Sequence, residues 1–177
     1  MQSTEEAFDF MGIDESNHGR FPEVYVAVAS RNSEDIVSSQ FGKRRKCKDI
    51  SLFLENRDFR HILIPKEFAN IFTIKDTRLI AYIELIKAFG NPSKVIIDGE
   101  MLSKEIRRLR RYLPHHISVS IEPKADIHYS LVNCADAIAN HLFRYYTKKS
   151  SERKDRYLPN LIIPKKEDYI LDGRSKL

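Results

Sequence analysis

From Asp76 onward the apolar residues switch repeatedly between helical and strand period, and that alternation constrains the fold more than any other feature of the chain. Leu79, Ile80, Tyr82, Ile83, Ile86 and Phe89 recur at helical spacing behind Asp76, a residue type that caps helices, until Gly90-Asn91-Pro92 stops the run. Lys94 to Asp98 (Lys-Val-Ile-Ile-Asp) then reads as a strand buried on both faces, and Gly99 turns the chain into a basic helix over Leu102 to Tyr112. Pro114 ends that helix. Ile117 to Ile121 alternates as another strand, closed by Pro123. Ser130 is placed to cap a last helix reaching Tyr146, with Leu131, Ala135, Ile138 and Leu142 on its apolar face. Strands joined through helices in this way pair in parallel.

The first third of the chain follows a different rule. Phe8 to Asp14 and Val24 to Ala29 are rich in β-branched and aromatic residues and read as strands. The Asn, Gly and Pro of the intervening Glu15-Ser-Asn-His-Gly-Arg-Phe-Pro22 are turn formers, so the pair is expected to form a hairpin. His61 to Pro65 is a third strand. The polar, basic stretch 31 to 59 holds at most a short helix near Ile50 to Leu54. The resulting order, β-β-β-α-β-α-β-α, predicts an α/β chain with a mixed five-stranded sheet and helices on its faces.

At 177 residues the chain fits one domain with a sizeable core, placed at 1–147, followed by a basic tail at 148–177. Leu161-Ile-Ile-Pro164 and Tyr169-Ile-Leu171 are apolar islands in that tail, suited to clasping the domain, a second copy of the chain or a protein partner. A net charge of +5 favours a polyanionic partner. The positive charge concentrates in Lys43 to Lys48, in Lys104, Arg107, Arg108, Arg110 and Arg111, and beyond Lys148; each cluster reads equally as a solvated face. Cys47 and Cys134 stand far apart, which indicates neither a disulfide framework nor a zinc site. The first residues do not resemble a signal peptide, and no apolar run approaches the roughly 18 residues that span a bilayer, so a cytoplasmic protein without membrane contact is expected.

Acidic residues fall at the strand ends: Asp14-Glu15 after the first strand, Asp98 after the fourth and Asp126 shortly after the fifth. Functional groups of open α/β sheets collect at the carboxyl ends of strands, so these acids are expected to converge. Converging carboxylates repel one another unless cations neutralise them, and hard Mg²⁺ or Mn²⁺ prefer such oxygen ligands. Two ions about 4 Å apart can drive in-line hydrolysis of a phosphodiester. Taken singly, each acid has a plainer reading. Asp14-Glu15 can begin a polar turn, Asp98-Gly99 is a common turn pair, and Asp126 can be a cap or a surface acid.

Three motifs give this pattern a family resemblance. Met11-Gly-Ile-Asp-Glu-Ser-Asn-His-Gly-Arg20 resembles the Gly-Ile-Asp-Glu-Ala-Gly-Arg-Gly opening of type 2 ribonuclease H. Val95-Ile-Ile-Asp-Gly99 is similar to that family's buried Val-Asp-Gly strand, and the segment from Lys124-Ala-Asp126 resembles its Lys-Ala-Asp segment and following helix. All three occur in the family's order across roughly residues 10 to 145. The resemblance implies a ribonuclease H-like fold and a metal-dependent endonuclease acting on RNA, DNA or a hybrid, with two Mg²⁺ or Mn²⁺ ions on Asp14, Glu15, Asp98 and Asp126. The family's Gly-Arg-Gly, which reads the ribose, stands here as Asn17-His18-Gly19. Ala135-Asp136-Ala-Ile-Ala139 looks more like the Ala-Asp-Leu-Ile-Ala helix of uncharacterised RNase H-like proteins that open with Ile-Asp-Glu-Ser, which implies Asp136 as a fifth catalytic and metal-binding acid. A solvated helix face is the other reading of Asp136.

Candidate nucleic-acid contacts are Asn17, His18, Gly19, Lys124, Arg107, Arg108 and Arg111, with the Lys43 to Lys48 segment beside them. Glu100 could be an outer ligand or a helix-start acid, and His128 a proton carrier or a surface histidine. The altered Asn17-His18-Gly19 also motivates a second functional class, a non-catalytic nucleic-acid-binding module that keeps the fold.

Overall fold

The computed structural model describes residues 8–16, 21–38, 54–55, 58–66, 73–147, 156–171 and 174–175. The hairpin is present: β1 (Phe10–Ser16) pairs antiparallel with β2 (Glu23–Ser30), setting Asp14 opposite Val26 and Glu15 opposite Tyr25. β3 (Phe59–Ile64) adds antiparallel to β2. On the other side of β1, β4 (Lys94–Asp98) and then β5 (Ser118–Glu122) add in parallel. β6 (Leu161–Ile162) pairs in parallel with β3, so among the described residues the sheet has six strands, in the order β5-β4-β1-β2-β3-β6, one more than the sequence predicts. Two residues are too few to show any period, so in sequence this segment is only an apolar island. The tail also forms a small separate ladder of β7 (Ile170–Leu171) and β8 (Arg174–Ser175). Of the helix expected near Ile50 to Leu54, only Leu54 and Glu55 are described, and both are helical; Lys43 to Lys48 lie outside the described residues.

Among the described residues, three α-helices of a full turn or more cover the sheet: α1 (Ile74–Ala88), α2 (Ser103–Arg111) and α3 (Ser130–Thr147). The cap of α1 is Thr73, three residues before the expected Asp76. Thr73 Oγ1 accepts from the Asp76 N–H at 3.2 Å and donates to the Asp76 carboxylate at 2.7 Å, so Asp76 serves as the acidic partner in the first turn. Ser130 opens α3, but its hydroxyl donates to the Asp35 carbonyl (2.9 Å), tying the helix start to the 3-10 turn Ser33–Ile36. None of the described helices is long and apolar enough to cross a membrane.

The strand period of two divides the interior into two cores. Met11, Ile13, Tyr25, Ala27, Val95 and Ile97 face α1 and α2, where they meet Leu79, Ile83, Ile86 and Leu109. Val24, Val26, Val28, Phe59 and Ile96 face α3 and meet Leu131, Ala135, Ile138 and Leu142. The Val-Ile-Ile run of β4 is apolar throughout because it feeds both cores. Each fully buried Leu or Ile contributes roughly 1.5–3 kcal/mol, so the second core fixes α3 against β1 and β2 firmly. Gly12 makes that contact possible: a Cβ built there would stand 2.6 Å from the Leu131 carbonyl carbon and the Val132 nitrogen.

Candidate functional site

The same period of two decides which acids share a face. Gly12, Asp14 and Ser16 alternate with Met11, Ile13 and Glu15, so Asp14 points to the α3 side, as does Asp98 at the end of β4 beyond Ile96. α3 crosses this side and brings Asp136 over the end of β1. The Asp14 carboxyl, 5% exposed, is pushed well above the usual carboxylate range. Burial is the largest cause; the negative charges of Asp98, Asp136 and Asp126 add to it in that order, and a hydrogen bond from the Glu15 N–H (2.6 Å) partly offsets it. Asp136 thus acts on Asp14 more strongly than Asp126 does.

Each aspartate around Asp14 is held by its own element. Gly99, at φ +117°, turns the chain sharply after Asp98. Asp98 Oδ1 accepts from the Ala125 N–H at 2.5 Å, which joins the end of β4 to the 3-10 turn Ala125–Ile127 that carries Asp126. Asn133, one turn into α3, donates to the Asp126 carbonyl (2.9 Å). Asn140 donates to Asp136 Oδ1 (2.6 Å) and to its carbonyl (3.0 Å). Tyr129, just before α3, donates to Glu122 Oε2 (2.8 Å), and Ser120 donates to Oε1 (2.7 Å). Tyr129, Asn133 and Asn140 are therefore spent on holding the strand ends and the acids.

Glu15 alternates with Asp14 along β1, and Tyr82 lies close enough to feel the charges of Glu15, Asp14 and Asp98 together. The Glu15 side chain faces the α1 side, where its charge pushes the hydroxyls of Tyr25 and Tyr82 up, second only to burial in each case. Tyr25 also donates to Glu23 (2.9 Å), and its ring meets that of Tyr82 edge to face at 5.8 Å. In the sequence Tyr82 stands simply in an apolar stripe, and no motif singles out Glu23. A tyrosine among the Leu and Ile of a buried helix face was the available signal, because a buried hydroxyl requires a polar partner.

Among the nucleic-acid candidates, Asn17, His18 and Gly19 lie outside the described residues. Lys124 is exposed beside Asp126, in the left-handed region (φ 63°) that few lysines adopt. Arg107 and Arg111 are exposed on α2. Arg108 instead pairs with Asp76 at 2.7 Å and ties α2 to the start of α1. Glu100 is exposed, and His128 is half-buried at the end of the turn that carries Asp126.

The carboxylate oxygens around Asp14 are the donors that hard divalent cations take. Among the described residues, no three His, Cys, Asp or Glu side chains close around a single point as they stand.

No protein-family model and no curated protein matches the sequence. By structure the chain is similar to ribonuclease HII of Archaeoglobus fulgidus, seen in its complex with PCNA, at a TM-score of 0.53 and 20% identity over 85% of each chain. It is also similar to ribonuclease H2 of Pyrococcus horikoshii OT3, at a TM-score of 0.55 and 15% identity over 83% of this chain and 82% of that one. The chain therefore has the ribonuclease H-like fold, in the form seen in type 2 ribonuclease H.

Proposed function

We propose that this chain is a metal-dependent nuclease that hydrolyses a nucleic-acid phosphodiester, with Asp14, Asp98, Asp136 and Asp126 as its acidic centre. The observation that carries the reading is the state of Asp14. A carboxyl buried at the end of a central strand is raised further by three other aspartates. Clustering like charges in a low-dielectric setting costs stability, so the arrangement needs a reason outside the fold. The acids offer the oxygen ligands that Mg²⁺ or Mn²⁺ require. When bound, such ions neutralise the cluster and supply positive charge against the phosphate during in-line attack.

The residues of the chain do the positioning. The Glu15 and Ala125 N–H groups orient Asp14 and Asp98, and Asn140 fixes Asp136. Exposed Lys124, Arg107 and Arg111 are the proposed contacts to the nucleic-acid backbone. Glu15 is proposed to support the site through its charge beside Tyr25 and Tyr82.

Incubation of purified protein with labelled RNA, DNA and hybrid duplexes in Mg²⁺ or Mn²⁺ tests the reading. Cleavage that drops at least a hundredfold in Asp14→Asn and Asp98→Asn supports it. Absence of cleavage, or cleavage unchanged by both substitutions, overturns it.

One observation favours a second reading, a nucleic-acid-binding module without catalysis. Asp98 and Asp136 already spend carboxylate oxygens on hydrogen bonds within the chain, and no three described acids surround one point. That module would bind nucleic acid equally well with and without divalent metal, and equally well after either substitution.

A further inference from the structure

Among the described residues, nothing pairs with the outer side of β5. The Ser118 N–H donates to the Ser93 carbonyl (2.8 Å), and the Glu122 carbonyl accepts from the Gly99 N–H (3.1 Å). Ser118, Ser120 and Glu122 thus turn their backbone groups toward β4, and in a parallel ladder the residues between them do the reverse. Val119 and Ile121 direct N–H and C=O outward, the template an edge strand offers to another chain. Sheet edges are commonly blunted by a charge, a proline or a bulge, yet these two positions are apolar and only partly buried against the α1–α2 core.

A cavity of about 330 Å³ opens beside the first half of this edge. Leu113, Pro114, Ile117 and Val119 form its apolar wall, and Arg110 and His115 stand at its rim. Arg107 neighbours Arg110 along the exposed surface of α2, whose single acid, Glu105, is buried. The rim is therefore cationic. On the opposite face of β5, Ser118, Ser120 and Glu122 present neutral and acidic groups.

We propose that the outer edge of β5 and this cavity form a docking site for an extended peptide. The peptide carries a large apolar residue with an acidic residue two positions to either side and neutral residues between. Strand addition supplies main-chain hydrogen bonds at Val119 and Ile121. Residues two apart share a face, so the apolar side chain enters the cavity while the flanking acids meet Arg110 and its neighbours. The intervening residues lie on the Glu122 face, where a further acid would be repelled.

The probe is a blocked, fluorescein-labelled heptapeptide with leucine at its centre, aspartate two positions to either side and threonine elsewhere. It is titrated against the full chain by fluorescence anisotropy at low salt. The proposal expects saturable binding, lost when lysine replaces both aspartates and weakened at least tenfold by Arg110→Glu. Val119→Pro, which removes an outward N–H, should weaken it to a similar degree; if that variant melts early, Arg110→Glu and the lysine peptide decide. Absence of saturable binding overturns the proposal, as does equal binding by folded Arg110→Glu. If the peptide never binds and Arg110→Glu instead loses affinity for a single-stranded oligonucleotide, the rim serves nucleic acid and the proposal fails.

Discussion

Gly12 on β1 and Leu131 on α3 approach so closely that a methyl group on the glycine would stand 2.6 Å from the leucine's carbonyl carbon. The atoms in the way are backbone, which cannot swing aside, so α3 itself must move. Asp14 and Asp136 ride on these two elements. Gly12→Ala is therefore expected to cost about 1–3 kcal/mol of stability and to weaken the coupling between the two aspartates. Chemical denaturation checks the first effect. If the acids form the active centre, cleavage by the folded variant falls at least tenfold; full activity in Gly12→Ala would show that the α3–β1 spacing is irrelevant to function.

Asp14 gives an unusual pH dependence. Because the folded state raises its carboxyl, the proton is held more tightly in the fold than in the unfolded chain. That preference favours folding below the ordinary carboxylate range and is lost as pH rises through the raised value. Where the pH exceeds that value and metal is absent, the ionised form burdens the fold, so Asp14→Asn should melt a few degrees higher there, the change that about 1 kcal/mol gives a chain of this length. Mg²⁺ or Mn²⁺ should raise the melting temperature of the wild type and leave that of the variant unchanged. A variant that melts lower than wild type in metal-free buffer contradicts the electrostatic account of the site.

His61 titrates in the opposite sense. Buried on β3 with Nε2 2.7 Å from the Tyr146 hydroxyl, it is pushed down to about 4 by burial, partly offset by a hydrogen bond with the Asn160 backbone. The neutral ring favours folding above the unfolded value of 6.5, and that contribution, about 3 kcal/mol at most, is lost as pH falls through 4. NMR of the imidazole nitrogens should show no protonation at pH 5.5. A midpoint near 6.5 would mean that the ring is reached by water.

Arg108 and its neighbours separate structure from binding. Its 2.7 Å pair with Asp76 assigns it to the α1–α2 contact, so Arg108→Ala should cost roughly 0.5–1 kcal/mol of stability and leave the salt dependence of nucleic-acid binding unchanged. Arg107→Ala and Arg111→Ala should each lower the slope of log K against log salt by about 1, with little effect on melting. The reverse pattern would move the phosphate contact to Arg108.

Much of this arrangement was legible in the residues. Lys94 to Asp98 emerges with the expected bounds because a Val-Ile-Ile run feeding two cores has no other use. α2 and α3 begin and end within a residue of expectation, where Pro114 and the four-residue apolar spacing mark them. The start of α1 was misplaced because Thr73 and Asp76 both look like caps, and only the hydrogen bonds assign their roles. β6 carries too little sequence to be read. At the site, strand period turns the Glu15 and Asp14 side chains to opposite faces of β1, yet both act on Tyr82. The repulsion between Asp136 and Asp14 depends on how closely α3 packs over Gly12, a tertiary distance that no local pattern encodes.

The central claim, that the aspartates around Asp14 form a cation site, is tested most directly by soaking Mn²⁺ into crystals of the protein and recording anomalous scattering. The account predicts a peak bound by Asp14 and Asp98, completed by Asp136 or Asp126, and abolished in Asp14→Asn. Strong manganese peaks elsewhere on the molecule with none at Asp14, at millimolar ion concentration, would contradict it.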